Sequence, residues 1–383
     1  MKKIRLVSIL LCIFIIFNIF CFVFEYKTNK EFVTCLHSNE YKTLSVHKLV
    51  EKFIKEYYFS KLSDLTYTFK YYVFKTSFGD IVIGKDGWLF YKNQYNEYKK
   101  YLDEYEIYAK KISFVQKELN KRQIDFLYLF VPDKAFIYSE NLPLRDKIIL
   151  KYGKYEFFEK NRYLIEAFDK YNINYYNITS DYKNKKKEVD FNLFANTGCH
   201  WTLTGVASIL NTLFEKIKEK TPNISYPKIN IFEIKEGIYN PDIDLIGISK
   251  VYKAKYDKKY TIPIIEYSNE SSNKVYIYGT CMGYQIFDVL CNEGKPAFQK
   301  IIFQQYFESR YTCTNSLNKY EHFEINEDIS NLNIMDNLKK SDILIVIQFP
   351  NKHINDEHYK FFSYLAQEFE KEKLNKTGEY NKE

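Results

Sequence analysis

The stretch Lys274–Leu290, "KVYIYGTCMGYQIFDVL", decides the fold of this chain. Val275 to Tyr278 form a short apolar run, two glycines follow at 279 and 283, and Ile286, Val289 and Leu290 recur at helical spacing. An apolar run without alternation reads as a strand buried on both faces, and a glycine-punctuated switch to a period near 3.6 reads as a strand–loop–helix unit. The same alternation appears on either side. "IDFLYLFVP" (124–132) is a buried strand behind an amphipathic helix over 102–123, with Ile107, Ile112, Val115 and Leu119 expected inward. "YEFFEKNRYLIEAFDKY" and "TGVASILNTLFEKIKEK" read as helices, "INYYNIT" as a strand, and "DILIVIQF" as a last strand before "DEHYKFFSYLAQEFEKEK". Strands alternating with helices imply an α/β fold with a mostly parallel sheet and helices on both faces.

Ahead of this body stands a different kind of sequence. Lys2, Lys3 and Arg5 precede an apolar run from Leu6 to Phe24, long enough at 1.5 Å per residue to match a bilayer core. No small-residue cleavage site follows it, so residues 1–24 are expected to be a cytoplasmic basic stub and a retained transmembrane anchor. The cations on the short side place everything after Glu25 outside the cytoplasm, on the periplasmic face of an inner membrane. Residues 25–80 read as a helical neck, 81–373 as the α/β domain with a possible irregular or β-rich insertion at 223–270, and 374–383 as a polar tail.

Composition removes several functions. A hydrophobic share of 46% with 19% aromatics belongs to a folded chain, not a disordered one. The net charge of +7 comes from lysines interleaved with Glu, Asp, Asn and Tyr and forms no basic stripe, which argues against nucleic acid as a partner. Outside the anchor lie Cys35, Cys199, Cys281, Cys291 and Cys313, an odd number without metal-ligand spacing. No metal or cofactor motif is read, and most of the five are expected to be small buried apolar residues.

In open α/β sheets ligands bind beyond the carboxyl ends of strands. Two loops fit that position: Gly279-Thr280-Cys281 at a helix start, and His200-Trp201-Thr202, where Thr202 or Thr204 can cap the next helix. A thiol at a helix start faces backbone N–H groups suited to an oxyanion, and a nearby imidazole is a ready base. Four segments, "GKDGWLFY" (84–91), "VPDKAFIYSENLP" (131–143), "HWTLTG" (200–205) and "YGTC" (278–281), resemble in order the landmarks of the alginate O-acetyltransferase family, SGNH-hydrolase-like proteins of polysaccharide acetylation. The resemblance implies a flavodoxin-like α/β fold, export, acetyl transfer to sugar hydroxyls, and a multispanning membrane acyltransferase as donor.

Two positions depart from that family's pattern. Its D-x-H-W acid falls on Gly198 and its G-D-S serine on Cys281, while His200 is kept. A thiol near an imidazolium deprotonates more readily than a hydroxyl, so a Cys281/His200 pair needs less help from a carboxylate. Asp190 and Asp288 are the acids considered as replacements. Trp201, Gly279 and Thr280 are the candidates for lining the sugar site, with Trp201 read more as a core residue than as a sugar platform, and Cys199 is the candidate for a disulfide with Cys281. A noncatalytic glycan-binding or assembly module and an acetyl-esterase are the alternatives to a transferase. Lys85 and Asp86 read as turn residues, and Lys134 as a cation at a strand end.

Overall fold

The computed structural model describes residues 81–91, 102–144, 146–148, 157–237, 244–245, 261–292, 295–306, 309–314, 319–324, 333–348 and 356–377. The anchor and neck readings fall on residues 1–80 and lie outside these. Among the described residues no helix is long and apolar enough to cross a membrane.

The chain begins with β1 (Ile81–Ile83) and β2 (Leu89–Tyr91), an antiparallel pair closed by a turn in which Asp86 and Gly87 take left-handed φ values of 52° and 81°. Helix α1 (Leu102–Asn120) leads to β3 (Asp125–Phe130), the short α2 (Lys134–Ile137), α3 (Phe157–Lys170), β4 (Tyr175–Asn177), α4 (Thr179–Glu188) and α5 (Leu203–Ile217). Strands β5 (Lys228–Glu236) and β6 (Thr261–Ser268) pair antiparallel as a separate ribbon. After them come β7 (Ser271–Gly279), α6 (Met282–Leu290), β8 (Cys291–Asn292), β9 (Lys295–Pro296), β10 (Phe298–Gln305), β11 (Ser309–Thr314), β12 (Lys319–Glu324), α7 (Ile334–Lys339), β13 (Ile343–Gln348) and α8 (Asp356–Thr377). The last helix therefore runs past Lys373 into the segment read as a polar tail.

The main sheet has seven strands in the order β12-β11-β10-β7-β13-β3-β4. From β10 to β4 every pairing is parallel, and β11 and β12 add an antiparallel margin. This is an α/β fold with a mixed, mostly parallel sheet. The margin was not legible in the sequence: "FQKIIFQQ" and "SRYTCT" carry polar residues at short intervals and show neither a clean alternation nor an unbroken apolar run.

Alternate residues of the central strands feed two cores. Leu127, Leu129, Ile277, Ile345 and Ile347 face one side, packed against α5 and α6 through Leu210, Leu213 and Phe287. Phe126, Tyr128, Phe130, Tyr276, Tyr278 and Val346 face the other, against Tyr108, Ile112, Phe361 and Phe362 of α1 and α8. The expectation for α1 needs one correction. Ile112, Val115 and Leu119 are fully buried, but Ile107 is 52% exposed, because the inward stripe runs through Tyr105, Tyr108 and Ala109. Tyrosines carry that stripe's first turn, so a pattern scored on aliphatic residues starts one position off.

The cysteines differ from expectation as well. Cys291 and Cys313 are disulfide-bonded, with Cα atoms 6.2 Å apart, while Cys199 and Cys281 are free thiols. The bond ties the exit of α6 to β11 and so holds the antiparallel margin to the parallel body. Reducing it should lower unfolding stability by about 2–4 kcal/mol, read from urea titrations with and without dithiothreitol.

Candidate active site

Strand β7 ends at Gly279, whose φ of +147° disfavours any side chain, and a Cβ there would stand 2.2 Å from the Ile347 carbonyl oxygen of β13. That close approach brings Thr280 and Cys281 over the carboxyl edge of the sheet. Cys281 takes the N-cap position of α6. The first amides of the helix are consumed locally: Met282 N–H donates to Thr280 Oγ1 (3.3 Å), Gly283 N–H to Thr280 O (2.9 Å) and Tyr284 N–H to Cys281 O (3.1 Å). An oxyanion at this turn would have to be met by donors other than these three.

The second loop is built around α5. Thr202 is its N-cap, accepting from Gly205 N–H at 2.9 Å, and Thr204 donates instead to the Thr261 carbonyl. Gly205 is required because a Cβ would lie 2.5 Å from the backbone oxygen of Leu193. Capping α5 in this way leaves His200 projecting just ahead of the helix, toward Cys281.

The loop is held from below by Lys134. Its ammonium is fully buried and donates to the carbonyls of Leu89 (2.6 Å), Asn196 (2.9 Å) and Gly198 (2.8 Å), with the rings of Trp88 and Phe90 at 4.9 and 5.2 Å. The cation read as a strand-end residue is thus the junction of three separated segments, 84–91, 131–143 and 195–201.

His200 Nε2 stands 2.9 Å from Cys281 Sγ, and His200 Nδ1 stands 2.7 Å from Asp244 Oδ2. The acid is therefore Asp244 and neither Asp190 nor Asp288. It comes from the 223–270 region, and no spacing rule connects it to His200. Its Oδ1 accepts from the Cys199 amide at 2.8 Å and its Oδ2 from the Cys199 thiol at 3.0 Å, so the residue that follows Gly198 holds the carboxylate with two donors. The side chains of His200 and Asp244 keep 12% and 23% exposure, which leaves the relay open to a ligand.

Charge follows from this packing. Burial alone disfavours an imidazolium at position 200, but Cys199, Cys281 and the Asp244 hydrogen bond outweigh it and hold its pKa well above the ordinary value of 6.5. Burial likewise opposes the Asp244 carboxylate, and the hydrogen bond and charge of His200 reverse that and lower its pKa from 3.8. Burial pushes the Cys199 thiol up to about 11.

Three expected sugar contacts are reassigned by the structure. Trp201 is 1% exposed; its indole N–H donates to Met282 O (3.0 Å) and Gln285 Oε1 (3.1 Å), and its ring stacks on Tyr182 at 5.5 Å. It therefore fastens the histidine loop to the helix that starts at Cys281 and has no face for a sugar. Thr280 is equally buried, and Gly279 is needed for backbone approach. The Cys199–Cys281 bond is absent, since the two thiols meet opposite nitrogens of one imidazole ring.

Residues 81–242 match the family model described as the SGNH hydrolase-like domain of the acetyltransferase AlgX. Over these residues, fewer than half of the chain, it is similar to the SGNH-hydrolase-like acetyltransferases. The O-acetyltransferase domain of Pseudomonas putida AlgJ is similar in structure, with 13% identity and a TM-score of 0.50, covering 75% of this chain and 99% of that one. Pseudomonas aeruginosa AlgX matches with 14% identity, a TM-score of 0.47 and coverage of 79% and 70%. Bacillus cereus PatB1 matches with 12% identity, a TM-score of 0.41 and coverage of 70% and 95%. At these identities the AlgJ likeness shows the fold alone. No curated protein matches the chain significantly in sequence.

Two outcomes are expected of this SGNH-like site. Lys134→Met leaves three buried carbonyls without their donor and should cost about 3–5 kcal/mol, measured by chemical denaturation. The His200–Asp244 pair gives a defined pH dependence of stability. Its contribution is complete between pH 3.8 and 6.5, the ordinary values of the two groups. It fades above that window as His200 passes through its raised pKa, and below it as Asp244 passes through its lowered one. Asp244→Asn should flatten both limbs in unfolding titrations across pH.

Proposed function

We propose that this acetyltransferase-like SGNH domain transfers acyl groups to hydroxyls of a cell-surface or secreted polysaccharide, with Cys281 as nucleophile, His200 as base and Asp244 as the residue that orients the ring. The observation that carries the reading is the continuous relay Cys281 Sγ–His200–Asp244, with contacts of 2.9 and 2.7 Å. A module kept only for binding needs no such alignment at the carboxyl edge of the sheet.

The Nδ1–H donated to Asp244 leaves Nε2 for the thiol. With its pKa raised, His200 rests as the imidazolium that holds the Cys281 proton on Nε2, and the thiolate attacks the donor's acyl carbonyl. The tetrahedral intermediate expels the leaving group, which receives the proton from Nε2, and an acyl thioester remains on Cys281. A sugar hydroxyl then gives its proton to Nε2 as its oxygen attacks the thioester. Collapse releases the ester and returns the Cys281 thiolate beside the imidazolium, which Asp244 stabilises throughout. Water in place of the sugar turns the second half into hydrolysis.

The chain is proposed to work on the extracytoplasmic side of the inner membrane, held there by the apolar run Leu6–Phe24, with a multispanning acyltransferase as donor. The basic residues before that run support this placement, and so does the Cys291–Cys313 disulfide, a bond that persists in oxidising compartments.

A small acetyl ester supplied with and without polysaccharide tests the reading. The wild type should carry one acetyl group on Cys281 by mass spectrometry and pass it to the polysaccharide faster than to water. Cys281→Ala should carry none. Because Asp244 completes the relay, Cys281→Ser should retain transfer as a serine triad, and adding Asp244→Asn to it should cost about 10⁴-fold, far more than D244N costs the thiol enzyme. A correctly folded wild type that neither acylates nor turns over would sink the transferase and leave the binding module.

A further inference from the structure

We infer that Cys199, His200 and Asp244 form a binding site for a soft divalent cation, zinc above all. The donors are Cys199 Sγ, His200 Nδ1 and Asp244 Oδ2, and they form a triangle with edges of 3.0 Å (Sγ to Oδ2), 2.7 Å (Nδ1 to Oδ2) and 3.5 Å (Sγ to Nδ1). In a tetrahedral zinc site with bonds of about 2.0–2.3 Å, such atoms stand roughly 3.3–3.6 Å apart. One edge already matches, and the other two open by roughly half an ångström.

The protons in the triangle occupy the place a metal would take. Oδ2 of Asp244 is the common acceptor of the His200 Nδ1–H and the Cys199 S–H, so one cation bound at the centre replaces two hydrogens aimed at a single oxygen. On binding, the thiol and the imidazole Nδ1 each release a proton to solvent. Thiolate and carboxylate then carry two negative charges, and with a neutral imidazole they balance a divalent ion. Sulfur and nitrogen donors favour zinc or cobalt over magnesium or calcium. The Cys199 amide on Asp244 Oδ1 fixes the carboxylate with Oδ2 turned inward, the outer-shell support that metal sites use. Exposure of 12% and 23% at His200 and Asp244 gives the ion an entry path and a fourth position for water.

Cys281 is not a ligand, because it faces the opposite ring nitrogen. A cation on Nδ1 fixes the remaining proton on Nε2, so the ring no longer has a lone pair for a proton from the thiol or the sugar. Zinc therefore switches off the base, a consequence that rests on the acyl-transfer reading; the binding itself does not.

Titration of the full-length protein with cobalt chloride, followed by its sulfur-to-cobalt charge-transfer absorbance, tests the site. One equivalent should bind and be displaced by zinc chloride. Cys199→Ala and Asp244→Asn should weaken binding by roughly 100-fold or more, and Cys281→Ala should keep the band. A band that vanishes in C281A but survives in C199A, or no band in a wild type whose far-ultraviolet circular dichroism shows it folded, overturns the proposal. Wild-type transfer should fall with zinc and return with EDTA. If cobalt binds as stated and no transfer is ever detected, the metal site stands and the transferase reading fails alone.

Discussion

The ammonium of Lys134 sets the geometry on which the site depends. Taking a lysine charge out of water costs several kcal/mol, and the cost is offset only when the donors are matched by acceptors of good geometry. Here three carbonyls from two distant segments supply them, with two aromatic rings beside the charge. The arrangement is all-or-none in character. If the 195–201 loop moves away, a buried charge loses two of its three carbonyls, so the loop that carries His200 is held by the same penalty that makes the lysine costly to bury.

This accounts for sequence segments that look unrelated in one dimension. "GKDGWLFY" supplies the Leu89 carbonyl and the rings of Trp88 and Phe90, "VPDK" supplies the ammonium, and "ANTGCHW" supplies the carbonyls of Asn196 and Gly198. Trp201 continues the chain of contacts to Met282 and Gln285, and so to the helix that starts at Cys281. The distance between imidazole and thiol is thus fixed by groups that need not touch any substrate. Such residues act by position, and their substitution is felt as misalignment of the Cys281–His200 contact.

The carboxylate shows how a relay can be re-routed without losing its form. In the family pattern that this sequence resembles, the acid lies two residues before the histidine. Here Gly198 gives its carbonyl to Lys134, and Asp244 reaches the ring from a different part of the chain. Cys199 completes the change, because its amide and thiol replace the solvent that a partly exposed carboxylate would otherwise keep. What is preserved is the physical requirement, a negative oxygen on Nδ1, and not the residue that provides it.

The sequence by itself determined the α/β class, the central strands around "IDFLYLF", "KVYIY" and "DILIVI", and the facing of His200 and Cys281. The class and the strands rest on local signals, unbroken apolar runs, helical spacing, and glycines where a strand must turn into a helix, whereas the facing of His200 and Cys281 was what the family resemblance implied. The ten-residue block from 195 to 204 and the turn at 279–281 were readable because their functional groups sit beside their own capping and turn residues. Only the tertiary structure decided the rest. Asp244, the buried role of Lys134, the Cys291–Cys313 pairing and the burial of Trp201 all join residues far apart in sequence. Burial and partnership of a polar side chain depend on which distant backbone lies against it, and neither composition nor period records that.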